Sequence, residues 1–210
     1  MNIQQEFFTL MDSGGPIMWV ILTAACGVMI LLVWEALRVR ALLKSARLDY
    51  QHLRSRNDRL PNVAGSVSPI RQLLTTINWS VTHSPQDIEK EININLVDIT
   101  PKMAGSLSTI AILGSLLPML GLLGTVTGMI NVFEVIAING SGKPEQMADG
   151  ISQALLTTAS GLIIAIPVIF LHHLLSRHIN ALVAITDQAI QLVLHRKLSL
   201  LKQEYSNEHG

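Results

Sequence analysis

The chain has 210 residues, of which 49% are hydrophobic and 14% charged, and its 15 Lys and Arg residues balance its 15 Asp and Glu residues. Soluble chains carry about 25% charged residues on average, so this composition, with a mean hydropathy of +0.42, indicates a membrane protein. The hydrophobic content excludes an intrinsically disordered chain, and the lack of a basic excess argues against nucleic-acid binding. The single cysteine, Cys26, permits no internal disulfide.

Residues 1–15 form the first predicted segment, which precedes any long apolar run. Ile3, Phe7, Leu10 and Met11 follow helical spacing, which is typical of a short amphipathic helix lying on the outer leaflet. The same spacing also fits a frayed helical start of the first span, and the sequence does not separate the two interpretations.

Three long stretches of the chain contain no Asp, Glu, Lys or Arg: residues 13–34, 103–133 and 150–176. A helix of roughly 20 mostly apolar residues crosses a bilayer core. We therefore predict an all-α integral membrane protein with transmembrane helices over residues 16–36, 108–138 and 150–172. No Lys or Arg precedes the first span, which argues against a cleavable signal peptide.

The Lys and Arg residues are unevenly distributed among the segments between the spans. Residues 1–36 contain none, residues 37–107 contain ten, the loop 139–149 contains one, and the tail 173–210 contains four. The positive-inside rule then places the first segment and the short loop outside, and the long segment and the tail inside. The basic cluster after the first span is either a topology signal on a solvated face or a contact for lipid headgroups.

The inner segment is predicted to be helical in three pieces. The first helix continues to about residue 60, and a short helix follows over residues 69–83. The third piece starts at Pro85 with Ser84 as its N-cap, and Pro101 is expected to kink its junction with the second span.

The tail 173–210 carries an apolar stripe at helical spacing to about residue 203, which predicts a cytoplasmic helix. Long helical extensions of this kind must bury their stripes against each other and against neighbouring subunits, or else in a purely intrachain bundle.

Small residues and prolines interrupt the apolar surface of the second and third spans. Small residues let membrane helices approach closely, and a proline frees a carbonyl that a neighbour must satisfy. The candidate helix-packing residues are Gly121, Gly124, Gly128, Gly161, Pro118 and Pro167.

Polar side chains also occur within the third span, where Gln153, Thr157 and Thr158 place polar atoms in the apolar run. Such groups line a water-filled path or pack helices together while their hydroxyls bond the backbone of their own helix. Glu134 lies near the outer end of the second span. No nucleophile–base or metal-binding motif is present, so we expect no enzyme activity, metal or cofactor.

The stretch GLLGTVTGMINVF, followed by MADGISQALLTTASGLIIAIPVIFLHH, resembles the MotA/TolQ/ExbB proton-channel family and its ExbB/TolQ branch in particular. The matching core covers residues 104–175. The resemblance implies a pentameric ring of these subunits around single-span ExbD/TolR-type partners, each with a membrane aspartate. Proton flow would energise TonB-dependent uptake, with a TonB-like protein, or the Tol envelope system. It also implies the bacterial inner membrane, with a periplasmic N-terminus and a cytoplasmic C-terminus.

Within this resemblance, Thr125 in LGTVTG matches the family's second-span pore threonine, and Thr158 in ALLTTASG matches the third-span one. Gln153 stands where the better-known members have glutamate. Because glutamine does not exchange a proton near neutral pH, titration would fall to the partner's aspartate, and coupling to H⁺ or Na⁺ stays open. A non-conducting scaffold for partner helices is the alternative from another class.

Overall fold

The structure, a computed structural model, describes Phe8, Met11 and residues 13–55, 68–76, 85–140 and 143–208. We number the helices in these ranges in chain order: α1 (Gly15–Arg54), α2 (Pro69–Thr76), α3 (Pro85–Ala104), α4 (Leu107–Asn139) and α5 (Pro144–Glu208). The described part of the chain contains no β-strand, so the all-α prediction is confirmed. Most of the predicted N-terminal segment 1–15 lies outside the described residues.

Helices α1, α4 and α5 are each long and apolar enough to cross a membrane. Each one contains one of the three predicted spans, and most of each charge-free stretch of the sequence lies within that helix. The prediction of three candidate membrane-spanning helices is therefore confirmed by the length and composition of these helices.

Helices α5 and α1 extend beyond the membrane spans predicted within them. Helix α5 begins at Pro144, before the predicted span 150–172, because proline is favoured in the first turn and Glu145 there complements the helix dipole. Helix α1 continues past the predicted span to Arg54, and residues 56–60 of its predicted extension lie outside the described part of the chain.

The junction before the second span contains both a proline and a glycine. Helix α3 runs through Pro101 and ends at Ala104, and the kink expected at the proline stays a prediction. The break lies at Gly105, whose φ of +55° is a left-handed conformation that glycine adopts without the steric penalty of a side chain.

The chain divides into two compact units. The first unit comprises Met1–Trp34 and Ser106–His173, and its centre is the contact between α4 and the first part of α5. The buried face of α4 repeats every three or four residues, as helical geometry requires, and consists of Ile110, Gly114, Leu117, Gly121, Gly124, Gly128 and Val132.

The second unit comprises Glu35–Gly105 and Leu174–Gly210. Its core takes buried side chains from α1, α2, α3 and the last part of α5, including Val39, Leu43, Ile70, Leu73, Ile99, Met103, Leu182 and Ile190. Part of the apolar stripes predicted for the inner segment and the tail, including Leu43, Ile99 and Leu182, is thus buried within the described part of the chain. Packing of these helices against neighbouring subunits stays a prediction.

An ion pair joins α1 to α2 inside the second unit. The Arg71 guanidinium donates to both carboxylate oxygens of Asp49, with Nε–Oδ2 and Nη2–Oδ1 distances of 3.0 and 2.9 Å. The hydrogen bonds to Asp49 raise the pKa of Arg71, and Asp49 is only 2% exposed. This two-pronged geometry fixes the orientation of both side chains.

Candidate functional site

Backbone-to-backbone contact between α4 and α5 is closest around Gly121 and Gly161. A Cβ atom on Gly161 would lie 2.7 Å from the Leu117 carbonyl oxygen and 3.1 Å from the Gly121 Cα atom. A Cβ atom on Gly128 would lie 2.8 Å from the Ala154 Cβ atom. The predicted packing glycines therefore lie in one interface. At each of these glycine positions, the structure leaves no room for a larger side chain.

Thr157 lies in the same interface. Its side chain is 1% exposed and packs against Gly124, where an added Cβ atom would collide with it. Its hydroxyl donates to the carbonyl oxygens of Ala154 and Gln153, at 2.8 and 3.2 Å, within its own helix. The geometry of Thr157 is that of a packing residue with a satisfied hydroxyl.

Thr158 makes a different contact, because its hydroxyl crosses to the other helix. It donates to the Gly121 carbonyl oxygen at 2.9 Å, and the residue is half-buried. Thr125, one turn after Gly121, is also half-buried, and its hydroxyl donates to the Leu122 carbonyl oxygen at 2.6 Å.

Helical geometry places the two predicted pore threonines on the same side of the α4–α5 interface. Gly124 and Thr157 face each other across it, and Thr125 and Thr158 each follow the facing residue by one position. Each residue is rotated by about 100° around the helix axis from the residue before it. Because α4 and α5 run antiparallel, the residue after Gly124 and the residue after Thr157 are rotated towards the same side of the interface. Thr125 and Thr158 therefore flank one edge of the interface.

Gln153 points elsewhere. It precedes Thr158 by five residues, which separates the two side chains by about 140° around the helix. Its amide lies against Gly15 at the start of α1, where an added Cβ atom would collide with Nε2. Gln153 also lines a polar cavity of about 660 Å³ together with Asn131, Gln146 and Asp149. The structure thus does not bring Gln153 together with the two threonines.

The two predicted packing prolines occupy different environments. Pro118 is half-buried, and Pro167 is exposed. Pro118 lies seven residues before Thr125, which is the same stripe of α4 after two turns. Glu134, near the end of α4, is exposed, so among the described residues no carboxylate is buried in the α4–α5 interface.

Replacing Gly161 with alanine is expected to lower the stability of the purified chain by about 1–3 kcal/mol, because the added methyl group meets backbone atoms that cannot rotate away. Gly27, in the middle of α1, has no atom within 4 Å of an added Cβ and serves as the matched control. Thermal unfolding in detergent should show a lower midpoint for Gly161→Ala and an unchanged or higher one for Gly27→Ala. Equal midpoints would contradict the close approach of α4 and α5.

A charge cluster around a buried carboxylate, which the sequence did not reveal as a site, lies in the second unit. Glu35 is 1% exposed and pairs with Arg38 at 2.9 Å. Arg38 also donates to the Lys102 carbonyl oxygen, and an added Cβ atom on Gly105 would collide with both side chains. The i,i+3 spacing of Glu35 and Arg38 in the sequence could have indicated their ion pair. Their contact with the α3–α4 junction could not be predicted in this way, because the junction is distant in sequence.

A family model described as the MotA/TolQ/ExbB proton channel family matches residues 69–188, more than half of the chain. The chain belongs to this family. The match is wider than the core 104–175 on which the sequence resemblance rested, and it includes α2 and α3 of the second unit. The family match, the apolar helices and the relatives described below agree that the chain is a membrane protein of the ExbB/TolQ branch.

Three curated relatives illustrate the similarity. Biopolymer transport protein exbB1 of Vibrio cholerae is 46% identical over 71 residues, which cover 33% of this chain and 31% of that protein. Biopolymer transport protein ExbB of Salmonella typhimurium is 38% identical over 86 residues, covering 40% and 35%. Tol-Pal system protein TolQ of Pseudomonas aeruginosa is 36% identical over 101 residues, covering 46% and 43%. The chain thus spans less than half the length of each of these relatives.

Proposed function

We propose that this chain is the ExbB/TolQ-like subunit of an ion-driven motor in the bacterial inner membrane. With an ExbD/TolR-type partner, it would use the proton motive force to energise TonB-dependent uptake through the outer membrane. The observation that carries this proposal is the placement of Thr125 and Thr158, both half-buried, along one edge of the α4–α5 interface. Hydroxyls there are able to bind water or a carboxylate.

The partner is needed because these hydroxyls do not titrate. Serine and threonine hydroxyls exchange no proton near neutral pH, and the interface holds no carboxylate among the described residues. A membrane aspartate on a single-span ExbD/TolR-type subunit would supply the missing titratable group. Thr125 and Thr158 would then orient water or the aspartate as ions pass.

The assembly and orientation follow the family resemblance and the charge pattern. A homopentamer would surround the partner helices, and exposed apolar side chains on α4 and α5, such as Ile130, Phe133 and Ile163, suit contact with lipid or with neighbouring copies. The excess of Lys and Arg in residues 37–107 favours a periplasmic N-terminus and a cytoplasmic C-terminus.

Gln153 receives a different role from the one that its position in the motif implies. Since it packs against Gly15 and lines a polar cavity, we propose that it holds the start of α1 and contacts water there. This assignment is consistent with a glutamine at the position, because neither task requires a titrating group.

Two alternatives have specific support. The similarity to a Tol-Pal system protein favours an envelope-maintenance motor of the TolQ type as the second candidate. The Thr157 hydroxyl donates to a carbonyl oxygen of its own helix. This bond favours the scaffold alternative, in which polar groups pack helices and no ion flows.

Deletion of the gene and complementation with the full chain tests the proposed system. We expect the deletion to abolish energy-dependent uptake of an iron complex through the outer membrane, with resistance to detergents retained. Detergent sensitivity and leakage of periplasmic proteins with normal uptake would instead identify the envelope-maintenance motor. Normal uptake together with normal envelope integrity would contradict both motors.

A further inference from the structure

The second unit contains a cavity that includes neither Thr125 nor Thr158, the two residues on which the proposed function rests. It has a volume of about 390 Å³ and is lined by Leu43, Leu48, Gln51 and His178 together with three basic side chains. Arg40, Lys44 and Arg47 are these bases, and they follow each other by four and three residues. Helical periodicity therefore puts all three on one face of α1.

The three bases have no acidic counterpart in the described part of the chain. The ion pairs found there join Glu35 to Arg38 and Asp49 to Arg71, so the nearest acids on α1 are already occupied. Three unneutralised cations around one concave surface create a positive potential that favours an anion.

Besides the three bases, the polar groups of the cavity are Gln51 on α1 and His178 on α5. The His178 Nδ1 lies 2.7 Å from the Leu174 carbonyl oxygen, and because a carbonyl only accepts, this nitrogen carries the hydrogen. The other ring nitrogen, Nε2, remains available to a ligand. The cavity thus combines guanidinium and ammonium donors with an imidazole, the Gln51 amide and two leucine side chains.

The position of the bases along α1 indicates which anion they meet. Arg40 follows Trp34, the last residue of the charge-free stretch, by six residues, or roughly 9 Å of helix. Side chains on a helix lean towards its N-terminus, which for these bases is the direction of the apolar stretch. The headgroup region begins just outside the hydrocarbon core, and the adjacent leucines suit an acyl chain.

We propose that this cavity binds a phosphate ester, with the headgroup phosphate of an anionic phospholipid as its source. Arg40 and Lys44 contact the phosphate oxygens, and Arg47 and His178 close the side nearer the aqueous phase. The site is independent of ion conduction along Thr125 and Thr158. It would anchor the start of the second unit to lipid headgroups.

The test uses the full chain purified in detergent and titrated with phosphatidylglycerol or phosphatidylcholine, with bound lipid counted by native mass spectrometry. A triple variant, Arg40→Gln with Lys44→Gln and Arg47→Gln, should weaken phosphatidylglycerol binding roughly tenfold or more, since each cation near an anionic headgroup contributes about fivefold. The matched control is Arg54→Gln with Lys90→Gln and Arg177→Gln, which removes the same charge from exposed positions outside the cavity. It should change binding less than about twofold.

If the triple variant fails to insert, the single variants Lys44→Gln and Arg54→Gln carry the comparison, with about fivefold weaker binding expected for the first alone. Displacement of phosphatidylglycerol by millimolar inorganic phosphate would support the phosphate site while identifying a soluble source. Equal binding of phosphatidylglycerol to wild type, triple variant and control would overturn the proposal, as would equal binding of phosphatidylcholine and phosphatidylglycerol by the wild type.

Discussion

Replacing Thr158 with valine is expected to abolish most of the proposed ion-driven activity while the proposed complex still assembles. Valine has nearly the shape of threonine but lacks the hydroxyl. A hydrogen bond to a charged group contributes about 1.5–3 kcal/mol, so the rate should fall roughly tenfold to a hundredfold. Outer-membrane uptake in the complemented deletion strain measures the rate, and co-purification of the proposed ExbD/TolR-type partner measures assembly.

Assembly should survive because the lost contact with the Gly121 carbonyl oxygen is a single bond between membrane helices. Such bonds contribute about 0.6 kcal/mol on average and no more than about 1.7 kcal/mol in the measured cases. Thr158→Ser, which keeps the hydroxyl, should retain most of the activity.

Thr157→Val is the matched control, because it makes the same chemical change one residue earlier. The Thr157 hydroxyl bonds only carbonyl oxygens of its own helix and faces Gly124 rather than the edge shared by Thr125 and Thr158. Its activity should stay within about twofold of wild type. Full activity of Thr158→Val, or equal losses in the two variants, would contradict the special role of Thr158.

The largest effect on stability is expected for Arg38→Met. This change leaves the Glu35 carboxylate, 1% exposed, without its ion-pair partner, and an uncompensated buried charge costs about 3–5 kcal/mol. It also removes the hydrogen bond to the Lys102 carbonyl oxygen. Thermal unfolding of the purified chain in detergent should show a large drop in the midpoint.

Glu35→Gln should be milder, at about 1 kcal/mol. The remaining Arg38 side chain is 37% exposed, so water solvates its charge, and its bond to Lys102 persists. The order of the two midpoints, with Arg38→Met below Glu35→Gln, follows from which member of the pair is buried. The reverse order would mean that the Glu35 carboxylate is solvated.

The membrane helices were predictable because the signal is local. A bilayer core tolerates few charges over the length of a helix, and this constraint is visible as stretches without Asp, Glu, Lys or Arg. The glycine face of α4 was visible for the same reason, since the spacing of Gly114, Gly121, Gly124 and Gly128 is a property of one helix.

The remaining features depend on contacts between distant parts of the chain. Sequence spacing alone could not distinguish Thr157 from Thr158, because the distinction depends on which of them faces Gly124 on another helix. It likewise could not pair Arg38 with a carbonyl group 64 residues away, or Gln153 with Gly15. Nor did sequence spacing identify Gly105, whose left-handed backbone conformation follows the end of α3 at Ala104.

In the proposed function, this chain lines an ion path that it does not complete alone. Proton flux into proteoliposomes, followed with a pH-sensitive dye inside the vesicles, tests this role with the full chain alone or co-purified with the proposed ExbD/TolR-type partner. We predict that the chain alone conducts no faster than empty vesicles. The complex should conduct, and replacing the partner's membrane aspartate with asparagine should stop it. Equal flux from the chain alone and from the complex would contradict the account, because the titrating group would then belong to this chain.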